Sequence, residues 1–189
     1  MSELRFYKHR RHINKKTKMK YLIMVLIGIG VAALAVALTL ALGKTEVMND
    51  ASMSPTIEHS EHVLVDRAKY LFFSPGRNDI IAFAPNKGER SNVYIRRIIG
   101  MPGDTIVVKD GRLYINGEKL EDTFSEEVIK NPGVADSEIK VGEDEYFVLG
   151  DNRNLSEDSR SEVIGNVKKM EIIGKVWLRT VPFNKMGFI

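Results

Sequence analysis

Residues 109–120, KDGRLYINGEKL, carry the strongest local signal for fold class. Asp110-Gly111 and Asn116-Gly117 are each suited to the positive backbone angles of a tight hairpin turn, so the short apolar runs beside them read as a small β-meander. Working outward, further short apolar stretches stand between Gly, Pro, Asn and Asp, at Val63 to Val65, Ile80 to Phe83 and Tyr94 to Ile99. Strand patterns resume at Glu145 to Leu149 and Glu171 to Arg179. Residues 121–144 are rich in Glu, Asp and Lys and contain Asn131-Pro132-Gly133, the composition of a surface loop or insertion. No helical repeat and no heptads occur, and the expected architecture is an all-β, mostly antiparallel domain.

Upstream of this domain the character of the chain changes. Tyr21 to Leu42, YLIMVLIGIGVAALAVALTLAL, carries no charge, and its 22 residues reach roughly 33 Å as a helix, enough to span a bilayer core. Residues 1–20 hold eight Lys or Arg against one acid, Glu3, whereas the remainder has 20 basic and 24 acidic residues. The overall +3 charge and basic pI therefore belong to the tail, and nucleic-acid binding loses its main support. Lys15, Lys16, Lys18 and Lys20 precede the apolar run and Lys44 follows it, a bias that places the N-terminus in the cytoplasm and the domain outside. A removable signal peptide is the rival reading, since Ala41 and Gly43 have small-x-small spacing, but the apolar run exceeds the ~7 to 15 residues usual there. Three parts follow: a basic cytoplasmic tail over 1–20, a transmembrane anchor over 21–42 and an extracytoplasmic domain over 43–189. Gly28 with Ala32 and Ala33 with Ala37 offer a weak helix-pairing face, and oligomeric state stays open.

A globular core is affordable in length, and 43% hydrophobic against 28% charged residues argues against general disorder. Without cysteine, the chain has neither disulfide nor thiolate zinc ligand. His, Asp and Glu form no group with convincing ligand spacing, and Glu143-Asp144-Glu145 reads as a solvated run, so no metal and no cofactor is expected.

Three segments combine turn-formers with polar residues that ordinary strands do not need. They are Ser52-Met53-Ser54-Pro55-Thr56, then YIRRIIGMPGD over 94–104, then GDNRNLSEDSR over 150–160. In this order, behind an N-terminal anchor, they resemble the bacterial type I signal peptidases, serine endopeptidases that remove signal peptides from exported proteins. The resemblance extends through HVLVDRAKYLFFSPGRNDIIAF and IIGKVWLRTVPFNKMGFI, and so covers the chain from about Val47 onward. It implies a signal-peptidase-like β domain in the cell membrane, with signal-peptide-bearing preproteins as partners. It also implies that Ser52 is the nucleophile, a hydroxyl made reactive when a nearby base removes its proton. By the same resemblance Ser156 hydrogen-bonds the base, Asp158 and Arg160 form a supporting ion pair, and Met48, Met53, Ile57, Tyr94 and Ile95 line the substrate pockets. As bare residues those five read equally well as core, and Leu71-Phe72-Phe73 as core or as an apolar rim at the lipid surface.

Arg96 occupies the position of the family's general-base lysine. A lysine needs its pKa lowered by about three units to serve at neutral pH, whereas an arginine starts near ~12.5 to 13.8 and should stay protonated. Asp50 stands two residues before the nucleophile, where Ser or Gly is usual near the oxyanion hole, and a carboxylate there opposes a developing negative charge. Pairing of Asp50 with Arg96 is the expectation that accounts for both, and side chains far apart would sink it. His59 and His62 are the other acceptors to weigh. Two functions compete: a type I signal peptidase cleaving after a small residue, or a degenerate relative that binds secretory or surface proteins as an assembly factor. Because Ser52 follows Leu42 by ten residues, either should work at the membrane surface. A self-cleaving regulator of the serine-lysine superfamily leaves the anchor unexplained.

Overall fold

The computed structural model describes residues 15–85, 92–125 and 127–189; the first fourteen residues of the basic tail lie outside these. The chain divides into two compact units, Met1–Ala41 and Leu42–Ile189.

Helix α1 spans Lys15–Leu42 and, up to Ala41, forms the described part of the first unit. It starts within the basic tail, so the lysines of its first turns precede the apolar run that the sequence marks. An 18-residue run within its stretch Lys15–Ala37 has a mean hydropathy of 2.3, and none of that run is buried within the protein. An uncharged run of this length, exposed along the described part of the helix, is suited to lipid, not to water.

The second unit is antiparallel throughout. Its strands are β1 (Gly43–Val47), β2 (His62–Asp66), β3 (Ile80–Phe83), β4 (Tyr94–Gly100), β5 (Thr105–Lys109), β6 (Arg112–Ile115) and β7 (Glu118–Lys119). After these come β8 (Ile139–Lys140), β9 (Glu145–Leu149), β10 (Val167–Lys168), β11 (Ile172–Val181) and β12 (Gly187–Phe188). One sheet runs β1-β2-β11-β3-β4-β9-β10 with β12 on the flank of β11, and a smaller sheet runs β7-β6-β5-β8. The all-β architecture therefore holds. A single helical turn, α2 (Lys69–Phe72), and short 3₁₀ turns complete it among the described residues.

The meander forms where the turn residues put it. Asp110 and Gly111 have φ of 51° and 69°, Asn116 and Gly117 of 54° and 84°, the left-handed pairs that match the twist of flanking strands. Residues 121–144 are mostly exposed and irregular, as the loop reading expects, but they also contribute to the core. Ile129, Ala135 and Val141 are buried with Ile99, Ile106, Val108, Leu113 and Phe147, and Ile139–Lys140 adds β8 to the edge of β5. The apolar residues are too widely spaced among charges to form a periodic signal, yet each fills a site in the core between the meander and β9.

The larger sheet presents two apolar clusters. Met48, Met53, Ile57, Val63, Val65, Ile80, Ala82, Ile95 and Val176 make one, and Ile81, Phe83, Ile98, Tyr146, Val148, Ile164 and Val167 the other. Each such side chain contributes roughly 1.5–3 kcal/mol on full burial. Strand β4 is paired on both edges, with Arg96 opposite Ile81 of β3 and Arg97 opposite Leu149 of β9. Its two arginines are thus fixed at the centre of the sheet, on opposite faces.

Candidate active site

The loop between β1 and β2 carries Ser52. It is closed on itself by Met48 N–H to Glu61 O at 2.9 Å and Ser60 N–H to Met48 O at 2.8 Å. Met53 and Ile57, both fully buried, pin the loop into the first apolar cluster, and Ile57 N–H donates to Met53 O at 2.9 Å. Ser52 itself is 0% exposed.

Its hydroxyl has a defined acceptor. Ser52 Oγ donates to Asp50 Oδ1 at 2.5 Å, and the same oxygen accepts the Ser52 N–H at 3.0 Å. The other carboxylate oxygen, Oδ2, lies 3.3 Å from Arg96 Nη2. The expected Asp50–Arg96 pair is present, and it is asymmetric: the arginine side chain is 1% exposed and the aspartate side chain 47%. Burial acts to raise the Asp50 carboxyl, but the hydrogen bonds from Ser52 and the charge of Arg96 outweigh it and hold the group below its usual value.

Arg96 is held on its remaining donors by main-chain oxygens. Nε donates to Glu157 O at 2.8 Å and Nη1 to Ile95 O at 2.7 Å, while the guanidinium stands 5.5 Å from the centre of the Tyr94 ring. A guanidinium offers donors and no acceptor, so its geometry here is that of a fixed cation. Ser156 departs from its expected role. Its hydroxyl is buried without a hydrogen-bond partner, and the fork of Arg96 meets the carbonyl of the next residue, Glu157.

The 150–160 loop is wrapped around its own charges. Asp158 takes two bonds from the Arg160 guanidinium, each 2.8 Å, and one from its main-chain N–H at 3.2 Å, and accepts Gly150 N–H at 3.1 Å. Arg160 continues to Arg153 O at 2.5 Å, and Arg153 returns to Gly150 O at 3.0 Å. Gly150 sits so close to Ser156 Oγ and Ser52 O that a Cβ would overlap both. The loop meets the Ser52 segment directly: Asn152 N–H donates to Ser52 O at 2.9 Å.

Asp151 and Arg97 are the site residues that sequence reasoning missed. Asp151 accepts Thr56 Oγ1 at 2.5 Å and both Arg97 Nε at 2.8 Å and Nη2 at 2.6 Å. One buried carboxylate thereby joins all three sequence segments. The available signal was the adjacent pair Arg96-Arg97 inside an apolar strand. Alternation sends neighbouring side chains to opposite faces, so each arginine needs its own buried acceptor.

Of the five pocket candidates, Met48, Met53, Ile57 and Ile95 share one buried cluster. Tyr94 does not join them: one position before Ile95 on β4, it faces the other way and stacks on Phe83 at 5.8 Å. His59 is exposed and His62 opens β2; the Ser52 hydroxyl is directed to Asp50.

A fully buried serine hydroxyl bonded to a carboxylate and backed by a fixed cation, carried on antiparallel strands, defines a candidate nucleophilic hydrolase site. The family model described as signal peptidase, peptidase S26, matches residues 19–181, and the chain belongs to that family. A signal peptidase I of Leptolyngbya laminosa is 37% identical over 142 residues, which cover 72% of this chain and 68% of that protein. Signal peptidase I U of Bacillus subtilis strain 168 is 39% identical over 149 residues, covering 76% and 78%. Among solved structures, a signal peptidase I from Enterococcus faecalis V583 is 34% identical and covers 55% of this chain and 97% of that one, with a TM-score of 0.44.

Proposed function

We propose that this protein is a type I signal peptidase that removes N-terminal signal peptides from exported proteins at the outer face of the cytoplasmic membrane. Ser52 attacks the carbonyl that follows a small residue, and the acyl-enzyme so formed is hydrolysed. The observation that carries the reading is the assembly of the three family segments around Ser52. Asn152 bonds its carbonyl, Asp151 ties Thr56 to Arg97, and Asp50 with Arg96 meets its hydroxyl. Membership of the signal peptidase family supports the same reaction class.

Asp158 and Arg160 serve as the ion pair that shapes the loop behind the site, and Ser156 fills the space against Gly150. Met48, Met53, Ile57 and Ile95 form the apolar floor on which alanine-like side chains of the substrate select themselves; Tyr94 supports Arg96. The anchor holds the N-terminus in the cytoplasm, as the lysines before the apolar run favour.

The test uses the purified full-length chain in detergent with a signal-peptide-bearing preprotein, comparing wild type, Ser52→Ala and Arg96→Lys by product size and N-terminal sequence. Cleavage after a small residue by wild type and its loss in Ser52→Ala is the expected result. Equal cleavage by Ser52→Ala rejects the nucleophile, and cleavage by Arg96→Lys alone makes the natural chain a binding protein.

A further inference from the structure

We propose that Asp50 is the general base that activates Ser52, with Arg96 the residue that positions its carboxylate. The inference rests on Ser52 being the nucleophile of a signal-peptide hydrolase. A general base must lie within hydrogen-bond reach of the proton it abstracts, ~2.6–3.2 Å or closer. Asp50 Oδ1 meets this at 2.5 Å, with the serine hydroxyl as donor. Arg96 meets no such condition, since every nitrogen of a guanidinium is a donor. Its three observed bonds run outward, to Glu157 O, Ile95 O and Asp50 Oδ2. The acceptor at this site is therefore the carboxylate, and the cation supports it.

The charge balance of the reaction favours this division of labour. In the resting site the negative charge is on Asp50 and the positive charge on Arg96. As the Ser52 proton passes to Asp50 Oδ1, the Oγ–C bond forms and the carbonyl electron pair moves onto its oxygen. The negative charge has then moved from Asp50 to the oxyanion, and the net charge of the site is unchanged. Asp50 is neutral at that moment, so it no longer opposes the oxyanion, while Arg96 remains to attract it. Protonation also weakens the hold of Asp50 on the Ser52 N–H, which becomes free to donate to the new anion. Collapse reforms the carbonyl and breaks the C–N bond, and Asp50 gives its proton to the departing amine. In the second half a water loses its proton to Asp50 and attacks the acyl carbon; Ser52 leaves and recovers that proton.

The partial exposure of Asp50 fits a group that exchanges protons with an amine and a water, and the full burial of Ser52 leaves Asp50 as the route by which its proton departs. Arg96 from β4 is the charge that faces Asp50, and Ser52 from its own loop supplies the two hydrogen bonds. From the 150–160 loop, Glu157 meets Arg96 through its main chain and places its carboxylate 3.5 Å from the Tyr94 hydroxyl. With its carboxyl held low, Asp50 is ionised across the neutral range.

The experiment measures the pH dependence of preprotein cleavage by the full-length chain in detergent, for wild type, Asp50→Asn, Asp50→Gly, Arg96→Gln and Ser52→Ala. Wild-type kcat/KM should reach its plateau by about pH 5 to 6, as a carboxylate base requires. A rise that continues through pH 9 overturns the proposal without any variant. Asp50→Asn should lower kcat by about 10²- to 10⁴-fold, with KM little changed. If Asp50→Asn or Asp50→Gly cleaves as fast as wild type or faster, Asp50 is a latch over the serine and not its base. Arg96→Gln should move the acid limb to higher pH; a limb that stays in place removes the positioning role. Wild type that fails to cleave at every pH, or Ser52→Ala that cleaves equally, defeats the hydrolase reading itself, an outcome distinct from loss of the base alone.

Discussion

Asp151 is a single side chain on which three distant segments depend. Its carboxylate is 1% exposed and Arg97 opposite is 6%, with Phe124 stacked 3.6 Å from the guanidinium. Removing one partner of a buried pair leaves an uncompensated charge, at a cost of about 3–5 kcal/mol. Asp151→Ala should therefore lower unfolding stability by that amount in urea titration, and the double change Arg97→Met with Asp151→Leu should recover much of it. Residue-scale features were unevenly legible. Ser52 was visible through the resemblance of its segment to the type I signal peptidases, and Asp50 and Arg96 as departures from that family's pattern. The Asp50–Arg96 contact was expected from their opposite charge at two unusual, adjacent positions of the family's pattern, and it is present. Asp151 was hidden because one acidic residue among several in GDNRNLSEDSR carries no mark of which is buried. Arg96 reaching Glu157 O in place of Ser156 was hidden for a different reason: it depends on the length of the guanidinium fork, which only the fold can measure.

Elements with local signals were read with little error. Turn pairs at 110–111 and 116–117 set the meander, and Glu145–Leu149 is a strand at the bounds the sequence suggests. Residues 121–144 are mostly the exposed loop the composition suggests, but three of them, Ile129, Ala135 and Val141, are buried, and a substitution there measures what the composition concealed. Ile129 is 5% exposed, so Ile129→Ala should cost about 2–5 kcal/mol, as in a core strand, and not the few tenths expected of a surface loop. Strand entry also has an electrostatic component. Asp104, just before β5, accepts Met101 N–H at 2.7 Å, Asn116 Nδ2 at 2.9 Å and Arg77 Nη2 at 2.8 Å. Burial raises its carboxyl, but these three partners outweigh it and hold it low. Asp79, before β3, is half-buried, and its carboxyl is likewise held low by Lys175 of β11 at 2.5 Å and by Gly76 N–H. A carboxyl whose folded value lies below its unfolded one stabilises the fold above the ordinary value near ~3.9, and the contribution is lost as pH falls through the folded value. Melting temperature should thus be level from pH 7 to about 5 and fall below about pH 4. Asp104→Asn should be less stable at pH 7 and show a shallower fall.

For the whole molecule, the arrangement of charge about α1 decides which side of the membrane receives the domain. The run from Tyr21 to Leu42 is uncharged throughout and gives no direction. Orientation has to come from the flanks, where Lys15, Lys16, Lys18 and Lys20 stand before the apolar run and Lys44 after it. Acidic residues contribute little to this choice, so the excess acid of the domain does not offset the lysines. Charge near the ends of the span dominates, within about 15–20 residues, which brings Arg5, Lys8, Arg10 and Arg11 in as well. Two variants separate these contributions. Neutralising the four lysines alone should leave the domain outside, because the arginines and Lys8 remain. Neutralising all eight and adding four lysines between Gly43 and Val47 should reverse the chain in a large fraction of molecules. Protease added to intact spheroplasts reads the result: the domain of the wild type and of the first variant is digested, and that of the second is protected until the membrane is opened. A wild-type domain protected from outside would place Ser52 on the cytoplasmic side, remote from the cleavage sites that emerge during export, and would end the signal peptidase reading on topology alone.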